Sequence, residues 1–306
     1  MPIVPFDQIR DYPEFMKLMH ASFGWAEGRE RVARMRRIDA RYRKPFGFAL
    51  QEGNRLLGFV GSVDVPMRTR AGRTEIVGGI HSVATDPEAA RSGVATRLME
   101  HSHRYFRKQG YRFSFLCTSR SLVAHRLYEK LGYADISILD RYPRAYRSFP
   151  ETKRDEPKAK GKRKPDFGRI RRLHRLANQG RTGCAVRIRN WPQVVFEERS
   201  LKPDGVIVHP EGYAFASSWE RTLFIDEWVA LSPAAAREIY RRLARRRKSA
   251  WILAQADSPL VRSLLEEKGF SFSGSRYAVR MVKPLAKASF ESVFGDRFVF
   301  PQLDSF

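Results

Sequence analysis

Apolar positions along the first half of the chain switch between two periods. From Glu14 to Phe23 they fall at Phe15, Met16, Leu18, Met19 and Phe23, the spacing of one helix face, and a second helix is expected over Arg29–Tyr42. The runs Gly47–Gln51 and Leu56–Val65 read as strands, joined by Glu52-Gly53-Asn54-Arg55 in a hairpin. Another strand, Glu75–Thr85, leads to a helix over Val94–Gln109 that gathers Val94, Ala95, Leu98, Met99, Tyr105 and Phe106 on one side before Gly110 stops it. A short strand (Arg112–Cys117), a helix (Leu122–Leu131) and a strand (Ala134–Leu139) come next. This alternation predicts an α/β (α+β) domain, a mixed central sheet flanked by helices.

The second half repeats the first in weaker form. Ser121 to Tyr133 can be laid on Ser258 to Phe270, and a strand, helix and strand precede each block. In the second copy these are Leu223–Leu231, Pro233–Arg247 and Ala250–Ala254. Chance likeness of amphipathic helices followed by Gly-aromatic is the competing explanation. Between the copies, Lys153 to Arg175 holds eleven basic residues against three acidic ones, with Pro157 and Pro165, as a linker does. The expected organisation is a domain over 1–146, a basic Pro/Lys-rich linker over 147–168, a related domain over 169–284 and an aromatic tail over 285–306.

Composition sharpens the partner question. The 57 Lys+Arg against 33 Asp+Glu give a formal charge of +24, which draws a protein toward RNA, DNA or the ribosome. A solubility bias or an Arg-rich, heat-adapted surface would leave the same count. The linker and the face Arg241–Lys248 are the candidate RNA or ribosome contacts. Two cysteines, Cys117 and Cys184, without metal-ligand spacing give no expectation of a disulfide framework or a metal site. No apolar run of about eighteen residues occurs and Met1–Pro5 has no signal pattern, so no membrane association and a cytoplasmic location are expected.

Candidate chemistry concentrates between Val83 and Met99. A strand ends near Thr85, Pro87 forbids its continuation, and small residues run into an amphipathic helix. A helix start offers unpaired N–H groups and the positive end of its dipole, and Gly93 lets a diphosphate approach the backbone. By itself this could be an ordinary helix start. Together with the motif over Ser121–Tyr133, the loop resembles that of the GNAT superfamily, Arg/Gln-x-x-Gly-x-Gly/Ala, here Ala90-Arg91-Ser92-Gly93-Val94-Ala95. Ala90 departs from the pattern, with Arg91 beside it. The second family signature, Asn-x-x-Ala-x-x-x-Tyr-x-Lys-x-Gly-Phe, matches Ser121, Ala124, Tyr128, Lys130, Gly132 and Tyr133, with Ser for Asn and Tyr for Phe.

The resemblance implies two tandem GNAT-like domains and transfer of acetyl from acetyl-CoA to an amine by direct attack in a ternary complex. Arg91, Ser92, Gly93, Val94, Ala95 and Thr96 would hold the pyrophosphate, the backbone at Val83 and Thr85 the pantetheine arm. Tyr128 would protonate the departing thiolate; half-buried packing on a helix is its plainer role. His81 lies two and four residues before Val83 and Thr85, so strict alternation puts all three on one strand face and makes His81 a candidate base; a structural histidine is the simpler account. Tandem organisation and Gly78-Gly79-Ile80 are similar to the enhanced-intracellular-survival (Eis) branch, which implies that the terminal carboxylate of Phe306 serves as base. That branch carries a third, sterol-carrier-like domain that is not seen here. In the second copy the loop shrinks to Ser232-Pro233-Ala234-Ala235 and Leu265 replaces Tyr128, so that domain is expected to be degenerate. The alternative function is a GNAT-derived nucleic-acid- or ribosome-binding protein with weak or no catalysis.

Overall fold

The computed structural model describes residues 1–42, 45–136, 144–148, 165–184, 186–188, 190–198, 201–219, 222–245, 251–255, 258–273 and 279–300. In chain order the elements are β1 (Ile3–Pro5), α1 (Tyr12–Phe23), α2 (Arg29–Ile38), β2 (Gly47–Glu52), β3 (Arg55–Arg68), β4 (Thr74–Thr85), α3 (Val94–Lys108), β5 (Phe113–Thr118), α4 (Val123–Lys130) and β6 (Ala134–Asp135). Then come β7 (Arg144–Ser148), α5 (Phe167–Ala177), β8 (Thr182–Gly183), α6 (Trp191–Glu198), β9 (Val206–His209), β10 (Gly212–Trp219), β11 (Thr222–Ala230), α7 (Pro233–Arg245), β12 (Trp251–Gln255), α8 (Pro259–Glu267) and β13 (Ser271–Ser273). The chain ends its described course with β14 (Val279–Pro284), α9 (Phe290–Phe294) and β15 (Phe298–Val299).

Local chemistry explains most boundaries. Asp11 caps α1 by accepting from the Glu14 N–H at 3.1 Å, and Gly24 ends it in the left-handed conformation (φ 73°). Helix α2 stops at Ile38, short of the expected Tyr42. There Asp39 turns the chain, its buried carboxylate accepting from both the backbone N–H and the guanidinium of Arg41. That satisfied pair is a better use of the segment than a further helical turn, which would bury both charges apart.

Two compact units form, and neither is continuous in sequence. Among the described residues, unit 1 takes in 1–136 and 279–296, and unit 2 takes in 144–273 and 297–300. The sheet of unit 1 runs β1-β2-β3-β4-β5-β14-β6, that of unit 2 runs β13-β7-β12-β11-β10-β9. Counted from β2 and from β9, the pairings agree: antiparallel, antiparallel, parallel, antiparallel, antiparallel. The two units therefore share one mixed α/β topology, with α3 and α7 as the crossover helices of their parallel pairs. The strand after β6 completes the sheet of unit 2, and the strand after β13 completes that of unit 1. In each sheet this exchanged strand fills the slot between the last two strands of the unit's own sequence block.

Each unit has its own core. In unit 1 Phe59 packs edge-on against Phe6 and Phe15 at 6.0 and 5.0 Å, and Phe113 lies against Phe290 and Phe294 at 5.6 and 5.8 Å. On the other face α3, whose Leu98, Met99 and Phe106 are all at most 1% exposed, closes down on Gly58 and Gly78. In unit 2 Ile225, Trp228, Ala235, Ile239, Leu243 and Leu265 pack on the α7–α8 side of the sheet. Ile170, Leu173, Trp191, Tyr213 and Phe215 pack on the α5–α6 side.

Candidate functional site

Strands β4 and β5 of unit 1 pair only over Gly78↔Ser114, Gly79↔Phe115 and Ile80↔Leu116. Beyond that point β4 runs on to Thr85 and β5 to Thr118. From His81 to Thr85, the edge of β4 that faced β5 thus has no strand partner among the described residues. An unpaired edge is a row of amide donors and acceptors open to an extended ligand. At the end of that edge, residues 86–93 turn the chain into α3.

Loop conformation rests on three devices. Asp86 accepts from the Glu88 N–H at 3.0 Å, Arg55 from the β2–β3 turn grips both Asp86 (2.7 Å) and Glu88 (2.6 Å), and the Ser92 hydroxyl donates to the Ala89 carbonyl at 2.7 Å. Arg91 and Gly93 take positive φ (64° and 83°), the latter as N-cap of α3 with no side-chain cap. Only glycine holds that cap conformation without strain, and no atom lies within 4 Å of where its Cβ would sit, so the approach to the helix start is open. Among the described residues the N–H groups of Gly93, Val94, Ala95 and Thr96 have no backbone acceptor, the first helical bond being Arg97 N–H to the Gly93 carbonyl at 3.0 Å. Four convergent amides at the positive end of a helix are an anion site. Gly58 lets this end sit close to the sheet: a Cβ there would lie 2.5 Å from Val94 Cγ1 and 2.9 Å from the Ala84 carbonyl oxygen.

The bulge in β4 corrects one expectation. Gly61 pairs with His81 but Phe59 pairs with Ala84, which leaves Ser82 (φ 50°) and Val83 opposite Val60. The extra residue breaks the period of two. His81 shares a face with Ala84, while Val83 and Thr85 lie on the other face with Gly58, toward α3. The imidazole stands over Gly61, edge-on to Tyr42 and Phe46 at 5.6 and 5.2 Å, with Nδ1 3.1 Å from the Ser82 hydroxyl. Burial in this apolar setting brings its pKa down to about 4. His81 is neutral at physiological pH.

Tyr128 lies on α4, 6% exposed, its ring edge-on to Tyr133 at 6.0 Å. Burial pushes its phenol up to about 12, so the proton stays on. Its hydroxyl makes no hydrogen bond among the described residues. Tyr133, where the signature has Phe, is anchored instead: its hydroxyl meets Ser114 Oγ at 2.6 Å and His103 Nε2 at 2.9 Å, and Ser114 donates to the Gly78 carbonyl at 3.2 Å. This buried chain links α3, β5 and the β4–β5 divergence, and only the Phe-to-Tyr departure hinted at it in the sequence. Phe306 lies outside the described residues, as do positions 149–164 of the basic linker and 246–250. Of the basic face on α7, Arg241 and Arg242 both pair with Glu238, at 2.5 and 2.9 Å.

Unit 2 has the fold without these groups. Only residues 231–232 separate β11 from α7, Ser232 Oγ already caps the helix by accepting from the Ala235 N–H at 3.3 Å, and Leu265 is fully buried where α4 has Tyr128.

An open helix start beside a diverging parallel pair defines the class: a mixed α/β fold with an anion site at the head of its crossover helix. Residues 8–136, most of the N-terminal part of unit 1, match the model of the acetyltransferase (GNAT) domain. Among solved structures, a GCN5-related N-acetyltransferase from Kribbella flavida superposes with a TM-score of 0.62 at 17% identity, over 93% of this chain and 72% of that one. Eis1 from Mycobacterium abscessus gives 0.58 at 16%, over 93% and 74%. N-myristoyltransferase of Saccharomyces cerevisiae, with bound myristoyl-CoA, gives 0.55 at 10%, over 92% and 78%. At these identities the likeness is one of fold. No curated protein matches the sequence. No helix among the described residues is long and apolar enough to cross a membrane.

Proposed function

We propose that unit 1 transfers an acetyl group from acetyl-CoA to an amine by direct attack in a ternary complex. The observation that carries this reading is the adjacency of four acceptor-free amides, Gly93 to Thr96, and the unpaired β4 edge. The amides, with Ser92 and Arg91 at the rim, suit a pyrophosphate; the edge at Val83 and Thr85 suits the two amides of a pantetheine arm. In the reaction the amine lone pair forms the new C–N bond at the thioester carbonyl. The C–S bond then breaks, and the sulfur takes the Tyr128 proton. A phenol held protonated by burial is ready for that step at any physiological pH.

The amine's surplus proton needs a second group. His81 is neutral and available, but its low pKa makes it a weak base, and it lies on the other strand face from Val83 and Thr85. The carboxylate of Phe306 is the second candidate, on the resemblance to the Eis branch. With an ordinary pKa of about 3.3–3.7 it is no stronger a base than His81, so placement against the amine decides between them. Acetyl-CoA calorimetry tests the binding half: saturable binding is expected, and it should weaken at least about tenfold in Gly93→Val. Absence of binding to the parent protein overturns the reading. For the chemistry, Tyr128→Phe should lower kcat on an accepted amine by about 10²–10⁴-fold while leaving acetyl-CoA affinity intact. An unchanged kcat refutes the acid role. Deletion of Phe306 and His81→Phe, compared in that assay, decide between the two bases.

A further inference from the structure

The exchange of strands leaves unit 2 with its own diverging pair. Strands β11 and β12 pair from Thr222↔Trp251 to Ile225↔Ala254, and β11 then continues to Ala230 with no strand on that side among the described residues. A cavity of about 300 Å³ opens along this edge, bounded by Glu227–Leu231, by α5 and the turn after it, by the start of α8 and by Val299. All of it belongs to unit 2.

Its polar lining is unlike a packing defect. Glu227, 4% exposed, is held by Arg187 at 2.9 Å and by the Tyr213 hydroxyl, with His174 Nδ1 at 3.8 Å. That carboxylate is therefore already neutralised. Arg181, also in the lining, has no acidic partner among the described residues, and it leaves the lining with one surplus positive charge. The indole N–H of Trp228 is buried without an acceptor among the described residues. Ser258 adds a hydroxyl, while Ala177, Val229, Pro259 and Leu260 are apolar. The cavity is at the small end of ligand-site volumes.

We propose that this cavity is a second ligand site, which takes a small carboxylate carrying one or two amides, the chemistry of an N-acyl amino acid or a dipeptide. The carboxylate meets the Arg181 guanidinium, whose planar fork suits two parallel hydrogen bonds. The amides extend along the open β11 edge, as an added strand would. No phosphate loop precedes α7, so the site excludes acyl-CoA by chemistry as well as by size.

The test uses the full chain, with N-acetylglycine as probe and N-acetylglycinamide as its uncharged twin, read by calorimetry and ligand-observed NMR. Saturable binding of the acid in the roughly millimolar range is expected for so small a molecule. The amide should bind at least about tenfold more weakly. Arg181→Gln should cost a similar factor, and Ala177→Leu, which fills the cavity without changing charge, should also abolish or weaken binding. Acetyl-CoA affinity should stay at the parent value in both variants, which shows that they fold and separates this site from the one in unit 1. No saturable binding of the acid, equal binding of acid and amide, or binding that survives both substitutions overturns the proposal.

Discussion

Arg187→Met isolates the buried charge cluster of unit 2. The side chains of Arg187 and Glu227 are 4% and 5% exposed, and the guanidinium also lies over the Trp191 ring at 3.6 Å. Burial pushes the Glu227 carboxyl up, but the Arg187 charge and the hydrogen bonds from His174 and Arg187 outweigh it and hold the group well below the usual carboxylate range. Removing the arginine leaves an ionised carboxylate without its main counter-charge, which costs about 3–5 kcal/mol. At roughly 2–4 °C per kcal/mol for a unit of this size, the melting transition should fall by roughly 6–20 °C. The double variant Arg187→Met/Glu227→Gln removes both charges and keeps an acceptor for the Tyr213 hydroxyl, so most of the loss should return. Acid pH supplies an independent sign. In the parent, stability from the depressed carboxyl is present above the unfolded pKa and is lost as pH falls through the folded one. In Arg187→Met burial acts unopposed by that charge, so the deficit against the parent should shrink as pH falls. Urea and thermal unfolding of the three proteins read all of this. A single variant within about 1 kcal/mol of the parent, or a double variant no better than the single, would refute the reasoning.

Two further outcomes concern unit 1. Because the folded pKa of His81 is about 4 against 6.5 unfolded, the unfolded chain binds more protons between those values, and stability should rise with pH across that window. His81→Phe should flatten this part of the urea-midpoint profile, and an unchanged slope speaks against a buried neutral imidazole. Gly58→Ala places a Cβ 2.9 Å from a backbone oxygen that cannot move aside and 2.5 Å from Val94, for a loss of about 1–3 kcal/mol. The same change should weaken acetyl-CoA binding by lifting the start of α3; stability lost with affinity intact would mean that the helix start does not hold the cofactor.

Much of unit 1 was legible because its elements are strongly periodic and its loop is local. Helix α3 begins at Val94, as the run of small residues after Pro87 indicates, and the hairpin turns at Gly53 with a positive φ of 58°. The face of His81 was not legible, since a bulge depends on what the neighbouring strand can accommodate: Gly61 is the gap that receives the imidazole. Strand partners were equally hidden. The segments 144–148 and 279–284 carry no mark of which sheet they enter, because register is a property of two strands at once. The Arg187–Glu227–Tyr213 cluster draws on residues that are far apart in sequence and share no spacing rule.

The exchanged strands also set an order of events in time. Strand β5 pairs along Phe113–Thr118 with Pro284–Val279, a partner made after nearly all of unit 2. During synthesis the N-terminal half must therefore wait with an open edge next to the very divergence where substrate chemistry is proposed. Strand β7 is available early, but its own neighbours β12 and β13 come late. A chain cut within the linker leaves each half short of one strand, β14 in the first and β7 in the second, so the two fragments should fold only in each other's company.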